Sequence, residues 1–123
     1  MESNSMKQHT TFYISGKVKE MMDFLVKREG IPKTLFLKRA IIEFLAGEQK
    51  LDYRVLIKTR KDPEYIRRNV LEAGYIEKDQ LRELERIAAE NNCKVAPVIF
   101  QAIVNYCAYL LSNNQEGITI TRK

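Results

Sequence analysis

Four side chains suited to polar recognition stand two apart near the start of the chain: Lys7, His9, Thr11 and Tyr13. Between them lie Thr10, Phe12 and Ile14, and a period of two puts the two sets on opposite faces of a strand. Phe12 and Ile14 are the residues that most need a core, so the other set faces outward. Such a row offers hydrogen bonds rather than catalysis. Further on, Lys33 and Thr34 fall in the first turn of a predicted helix, where unpaired amides and the helix dipole suit a phosphate oxygen. Other chemistries lack their parts. His9 is the single histidine, and Cys93 and Cys107 stand fourteen apart, a spacing of no zinc site. No Gly-rich phosphate loop, nucleophile motif or pair of catalytic carboxylates emerges, and the acidic residues fall on predicted helix surfaces. The expectation is a protein that is not an enzyme and uses no cofactor or metal.

The elements that must position these residues read clearly in places. Residues 9–14 form a short strand, rich in β-branched and aromatic types. Ser15 is an N-cap, and residues 16–29 follow as a helix with Val18, Met21, Met22, Leu25 and Val26 on one stripe, a core face. Gly30 ends it, and a second helix runs from Pro32 or Lys33 to about Glu48. Residues 51–59 alternate again and read as a strand. Asp62-Pro63 is an N-cap followed by proline at the first helical position, predicting a short helix to about Ala73, stopped at Gly74, with a brief strand at Tyr75-Ile76. A helix from Lys78 or Asp79 to Asn91 buries Leu81, Leu84, Ile87 and Ala88, and a last helix runs from Val95 to about Ser112. The expected organisation is a flexible arm (1–8), a first unit (9–48), a connector with a strand and short helix (49–76), a second helix pair (77–112) and a flexible tail (113–123).

Residues 30–44 have a partner 62 positions later, residues 92–106. Gly30 and Asn92 are the types that enter the left-handed backbone region most readily, as a helix end demands. Each is followed within a few residues by a proline, Pro32 or Pro97. The apolar faces then correspond: Leu37, Ala40, Ile41 and Phe44 against Ile99, Ala102, Ile103 and Tyr106. The copies are unequal, since Lys33, Thr34 and Lys38 of the first become Val95, Ala96 and Phe100. A strand feeding two helices cannot stand alone, because its backbone groups need a partner strand. Two strand–helix–helix copies solve this by pairing their strands over four helices, as a ribbon narrow enough for the DNA major groove. Residues 51–59 or 70–76 of the same chain can supply the second strand, making a pseudo-dimer; strand exchange between two chains is the rival.

Residues 9–45 resemble the ribbon-helix-helix family, which includes the Arc and methionine repressors. Its common pattern in the turn and second helix is Gly-x-Ser-x-Ser-Glu-x-Ile-Arg-x-Ala-Ile. Here Gly30, Thr34, Leu37, Lys38, Ala40 and Ile41 match in kind, while Pro32 and Leu35 depart from it. The second copy resembles it more faintly, with Ala96-Pro97 and Phe100 at the polar positions. The resemblance implies a mainly α fold with a two-stranded β-ribbon and four or more helices. It also implies double-stranded DNA as partner, with His9, Thr11 and Tyr13 reading bases and Lys7, Lys33, Thr34 and Lys38 holding phosphates. Arg54, Lys58, Arg60 and Lys61 are additional backbone candidates. Tandem members resemble proteins of plasmids and conjugative elements, acting as repressors or accessory factors. The competing class is a protein-interaction module, an antitoxin or scaffold.

Bulk properties agree. The net charge of +5 is uneven: residues 1–50 and 51–70 each carry +3, and residues 71–123 carry −1. Positive potential therefore gathers on the first copy and the connector, as a polyanion partner would require. At 45% hydrophobic and 30% charged, the chain can bury a core. No uninterrupted apolar run reaches the roughly 18–20 residues of a membrane span, the start lacks a signal-peptide profile, and two cysteines read as buried thiols in a reducing cytosol.

Overall fold

The computed structural model describes residues 6–122. Residues 1–5 of the expected arm lie outside them, as does Lys123. The fold is mixed: a two-stranded antiparallel sheet and four helices in the order strand–helix–helix, connector, strand–helix–helix. Strand β1 is Lys7–Ile14, helix α1 Gly16–Glu29, helix α2 Lys33–Ala46, strand β2 Val70–Glu77, helix α3 Lys78–Glu90 and helix α4 Val95–Arg122. The strand partner therefore comes from the same chain. Lys7 pairs with Glu77, Thr11 with Ala73 and Ile14 with Val70, and Lys78 N–H extends the ladder by donating to the Met6 carbonyl at 2.7 Å.

Local chemistry sets the helix boundaries. The Ser15 hydroxyl accepts from Val18 N–H at 3.2 Å and starts α1. Gly30 ends it with φ 66°, and Asn92, after α3, has φ 55°. Both turns close by the same bond, Ile31 N–H to the Val26 carbonyl and Cys93 N–H to the Ala88 carbonyl, the six-to-one link that satisfies helix-end carbonyls. Pro32 caps α2 from just outside, whereas Pro97 sits inside the first turn of α4, where its missing N–H costs nothing.

The core lies between the ribbon and the helices. Helix α4 packs under β1 and against α1 and α2, while α2 and α3 pack under β2. Phe12 and Ile14 point into this layer with Phe36, Ile41, Ile99 and Ile103, and Phe36 meets Tyr106 edge-on at 5.0 Å. Val95–Ser112 of α4 is long and apolar enough by composition to cross a membrane, more than the sequence reading allowed. Its apolar residues have a use within the fold, since Val98, Ile99, Phe100, Ala102 and Cys107 are core.

Expectations about the connector and the element ends are corrected. Residues 51–59 form no strand: Tyr53–Leu56 is a short 3-10 helix. Asp52 caps it, accepting from Arg54 N–H at 2.8 Å, while Leu51 and Val55 insert four apart into the core. Local side-chain bonds of this type compete with strand pairing. The helix expected from Pro63 is a single turn. Asp62 accepts from Glu64 N–H as a cap should, but the chain then extends into β2, because isolated helical turns are costly to nucleate. Of the two candidate second strands, 70–76 is the one that pairs, as β2 over 70–77 despite Glu72 and Gly74, and β1 begins at Lys7 rather than His9. Helix α4 runs on to Arg122, past the Ser112 end expected from the sequence.

Gly74 belongs in β2 for a steric reason. A Cβ at this inward position would lie 2.5 Å from Leu37 Cδ2, so the leucine of α2 occupies the space a side chain would need. We predict that Gly74→Ala lowers stability by about 1–3 kcal/mol through overpacking, read as a lower thermal midpoint. Gly16→Ala, whose Cβ meets nothing within 4 Å, is the control and leaves the midpoint unchanged or slightly higher. Equal melting of the two variants would contradict the packing account.

Candidate functional site

Alternation along the two strands divides the ribbon into a core face and an open face. On β1, Lys7, His9, Thr11 and Tyr13 are exposed, while Phe12 and Ile14 are buried. On β2 the exposed residues are Leu71, Ala73 and Tyr75. The register sets His9 opposite Tyr75, Thr11 opposite Ala73 and Tyr13 opposite Leu71. The His9 and Tyr75 rings meet edge-on at 5.2 Å. The open face thus combines an imidazole and three hydroxyls with exposed apolar surface: Tyr13 is 50%, Leu71 56% and Tyr75 64% exposed.

The open face borders a cleft of about 670 Å³ lined by Lys7, Thr34, Lys38, Tyr75, Glu77 and Gln80, among others. Three of the four sequence-selected phosphate residues therefore line one cavity. Thr34 and Lys38, four apart, share one side of α2, and Lys7 arrives from the start of β1. The fourth, Lys33, is engaged elsewhere. Its Nζ donates to Glu72 Oε1 at 3.2 Å, and Lys19 of α1 stands 3.5 Å from Glu72 Oε2 while donating to Asp23 at 2.9 Å. Glu72 is only 9% exposed on the inner face of β2, so two lysines from two helices compensate one nearly buried carboxylate.

The connector cations do not join this cleft. Arg54 closes a two-pronged ion pair on Asp52, at 3.0 and 2.9 Å. This charged bond, reinforced by the Arg54 backbone N–H, holds the Asp52 carboxyl down at about 2 from its ordinary 3.8, and the same pairing raises Arg54. Lys58 donates to the Asn92 carbonyl at 3.3 Å, beside the α3–α4 turn. Arg60 and Lys61 are exposed in the connector. Cys107 is buried and its thiol is pushed up to about 11 by desolvation; Cys93 is half-buried and raised for the same reason. No group of three or more metal-ligating side chains stands together among the described residues.

Sequence reading missed Leu71, Ala73, Tyr75 and Gln80. The signal was available for the first three, because the 62-residue offset carries His9, Thr11 and Tyr13 onto them. Comparison with family profiles, with curated proteins and with solved structures found no match for this chain.

Two outcomes test these contacts. In a double-mutant cycle, Glu72→Gln and Lys33→Met should show a coupling of about 1 kcal/mol in denaturant unfolding, as for residues sharing one ion pair; strict additivity would mean the pair contributes nothing. The depressed Asp52 carboxyl stabilises the fold above its unfolded value near 3.8, and this contribution is lost as pH falls from there toward 2. A carboxyl ¹³C NMR titration should place its midpoint near 2, and Arg54→Gln should return it toward 3.8.

Proposed function

We propose that the chain is a tandem ribbon-helix-helix protein that binds double-stranded DNA with sequence preference, laying the ribbon into the major groove. The observation that carries this reading is the juxtaposition of an uncovered ribbon face with an adjoining cationic cleft. His9, Thr11 and Tyr13 offer donors and acceptors to base edges, while Lys7, Thr34 and Lys38 stand beside them to hold the backbone. The first-turn amides of α2 add to that grip.

The tandem relation is supported by two independent alignments. The helical copies are offset by 62 residues, and Thr11 and Ala73, which face each other across the ribbon, are also 62 apart. Their neighbours follow suit: Thr10 pairs with Gly74 and Phe12 with Glu72, and the offset carries Thr10 to Glu72 and Phe12 to Gly74. A pseudo-two-fold axis through the Thr11–Ala73 pair satisfies both. The halves it relates are chemically different, since the second presents Leu71, Ala73 and Tyr75 on the ribbon and Val95, Ala96 and Phe100 at the helix start. Such a module prefers a non-palindromic site, gripped more firmly on one side. A repressor of a mobile element, or an accessory factor in its conjugation or maintenance, is the role this reading implies.

The rival reading, a protein-interaction module of the antitoxin or scaffold type, draws on the exposed Tyr13, Leu71 and Tyr75 side chains. Gel-shift titration against genomic fragments at several salt concentrations separates the two. DNA binding should weaken steeply with salt, with a log–log slope of about −0.9 per phosphate neutralised. Lys38→Gln should weaken binding to all sequences and reduce that slope by about one contact. Thr11→Ala with Tyr13→Ala should relax sequence preference while leaving the thermal transition nearly unchanged. If no fragment binds even at low salt, the DNA reading fails and the interaction module stands.

A further inference from the structure

A second cavity, of about 750 Å³, lies between the connector and the α3–α4 turn. Its lining includes Lys58, Arg68 and Lys94 and contains no aspartate or glutamate. Among the described residues, no ion pair engages any of these three cations. Arg68 is the least satisfied of them. Its guanidinium lies 5.4 Å from the Phe100 ring centroid, and its Nη1 is buried without a hydrogen-bond partner. A buried donor left unpaired is costly, more so when charged, and three uncompensated cations around one cavity repel one another. Most of the remaining wall is apolar or aromatic, with Val55, Tyr65 and Pro97, and Asn92 and Cys93 complete it.

We propose that this cavity binds a small organic anion: a phosphate or carboxylate head on a flat apolar body. Lys58, Arg68 and Lys94 hold the head, and Val55, Tyr65 and Pro97 take the body. The volume falls within the usual range of small-molecule sites, roughly 300–1,000 Å³. Arg68 lines the cavity, and its guanidinium is the group best matched to the oxygens of such a head, through nitrogens other than the buried Nη1. Its cation–π contact with Phe100 already fixes the guanidinium, so little ordering remains to be done on binding. Phe100 occupies the position corresponding to Lys38 in the first copy. The second copy has thus exchanged a cation on the cleft for a ring that orients Arg68. This site does not depend on the DNA reading.

The experiment is a ¹H–¹⁵N NMR titration of the full chain with phenyl phosphate and with benzoate, beside phenol and inorganic phosphate as half-ligands. At least one aryl anion should shift the Cys93, Lys94 and Ala96 amides saturably, with each half-ligand tenfold weaker or more. Which aryl anion binds tighter distinguishes a phosphate from a carboxylate head. Lys94→Gln, at an exposed position, should weaken binding about tenfold without changing the melt, and Arg68→Met should do the same if it folds. Ligand should also slow alkylation of Cys93, which lines the cavity, relative to the free protein. The proposal is overturned by the absence of saturable shifts up to roughly 10 mM, by equal binding in Lys94→Gln, or by phenol binding as well as the anions. It is likewise overturned if only duplex DNA shifts these amides, which would make the cations part of a nucleic-acid surface.

Discussion

Everything in this molecule rests on the pairing of two strands more than fifty residues apart in the chain. Eight residues of extended backbone at Lys7–Ile14 carry amides and carbonyls that need a partner, and among the described residues Val70–Glu77 is the strand that supplies it. Once the pair forms, its inner face must be covered, and the four helices arrange themselves accordingly. The cover is shared between the halves: β1 lies on α4, the last helix, and β2 on α2 of the first half as well as on its own α3. Helix α4 therefore joins the two halves, since it packs under β1 and against α1, α2 and α3 alike.

The inner face of the ribbon is where the two halves stop being alike. β1 offers Phe12 and Ile14, a conventional apolar pair. β2 offers Glu72, Gly74 and Ile76, an acid and an empty position among apolar neighbours. Each irregularity is answered from the first half, Glu72 by Lys19 and Lys33 and Gly74 by Leu37. A pattern that looks unfavourable locally is therefore consistent globally, which is the condition for a single native arrangement.

This division explains which features were legible in the sequence. The β1 faces, the Ser15 cap, the left-handed positions at Gly30 and Asn92 and the apolar stripes follow from local periodicity and capping chemistry, and each stands as read. The second strand was legible only as one of two candidates, because Glu72 and Gly74 argue against 70–76 until Lys19, Lys33 and Leu37 are seen beside them. Residues 51–59 misled in the opposite direction. Their alternation is genuine, but Asp52 bonds its own neighbours and the Gln101 side chain accepts from its amide at 2.7 Å, so the segment curls. Of the cationic residues, Lys7 was placed by strand alternation and Lys38 by the family resemblance, and both line the same cleft. The engagement of Lys33 with Glu72, and the setting of Arg68 over Phe100, depend on contacts across 39 and 32 positions that periodicity cannot convey.

Because both strands of the ribbon belong to one polypeptide, its assembly is a unimolecular event. A ribbon built from two chains dissolves on dilution, and its stability is inseparable from subunit concentration. Here the connector fixes the effective concentration of one strand near the other regardless of how many copies of the protein are present. The intact two-stranded surface therefore needs no second copy of the chain to form. Each strand is also free to change independently of its partner, since no symmetry forces a substitution in one to appear in the other.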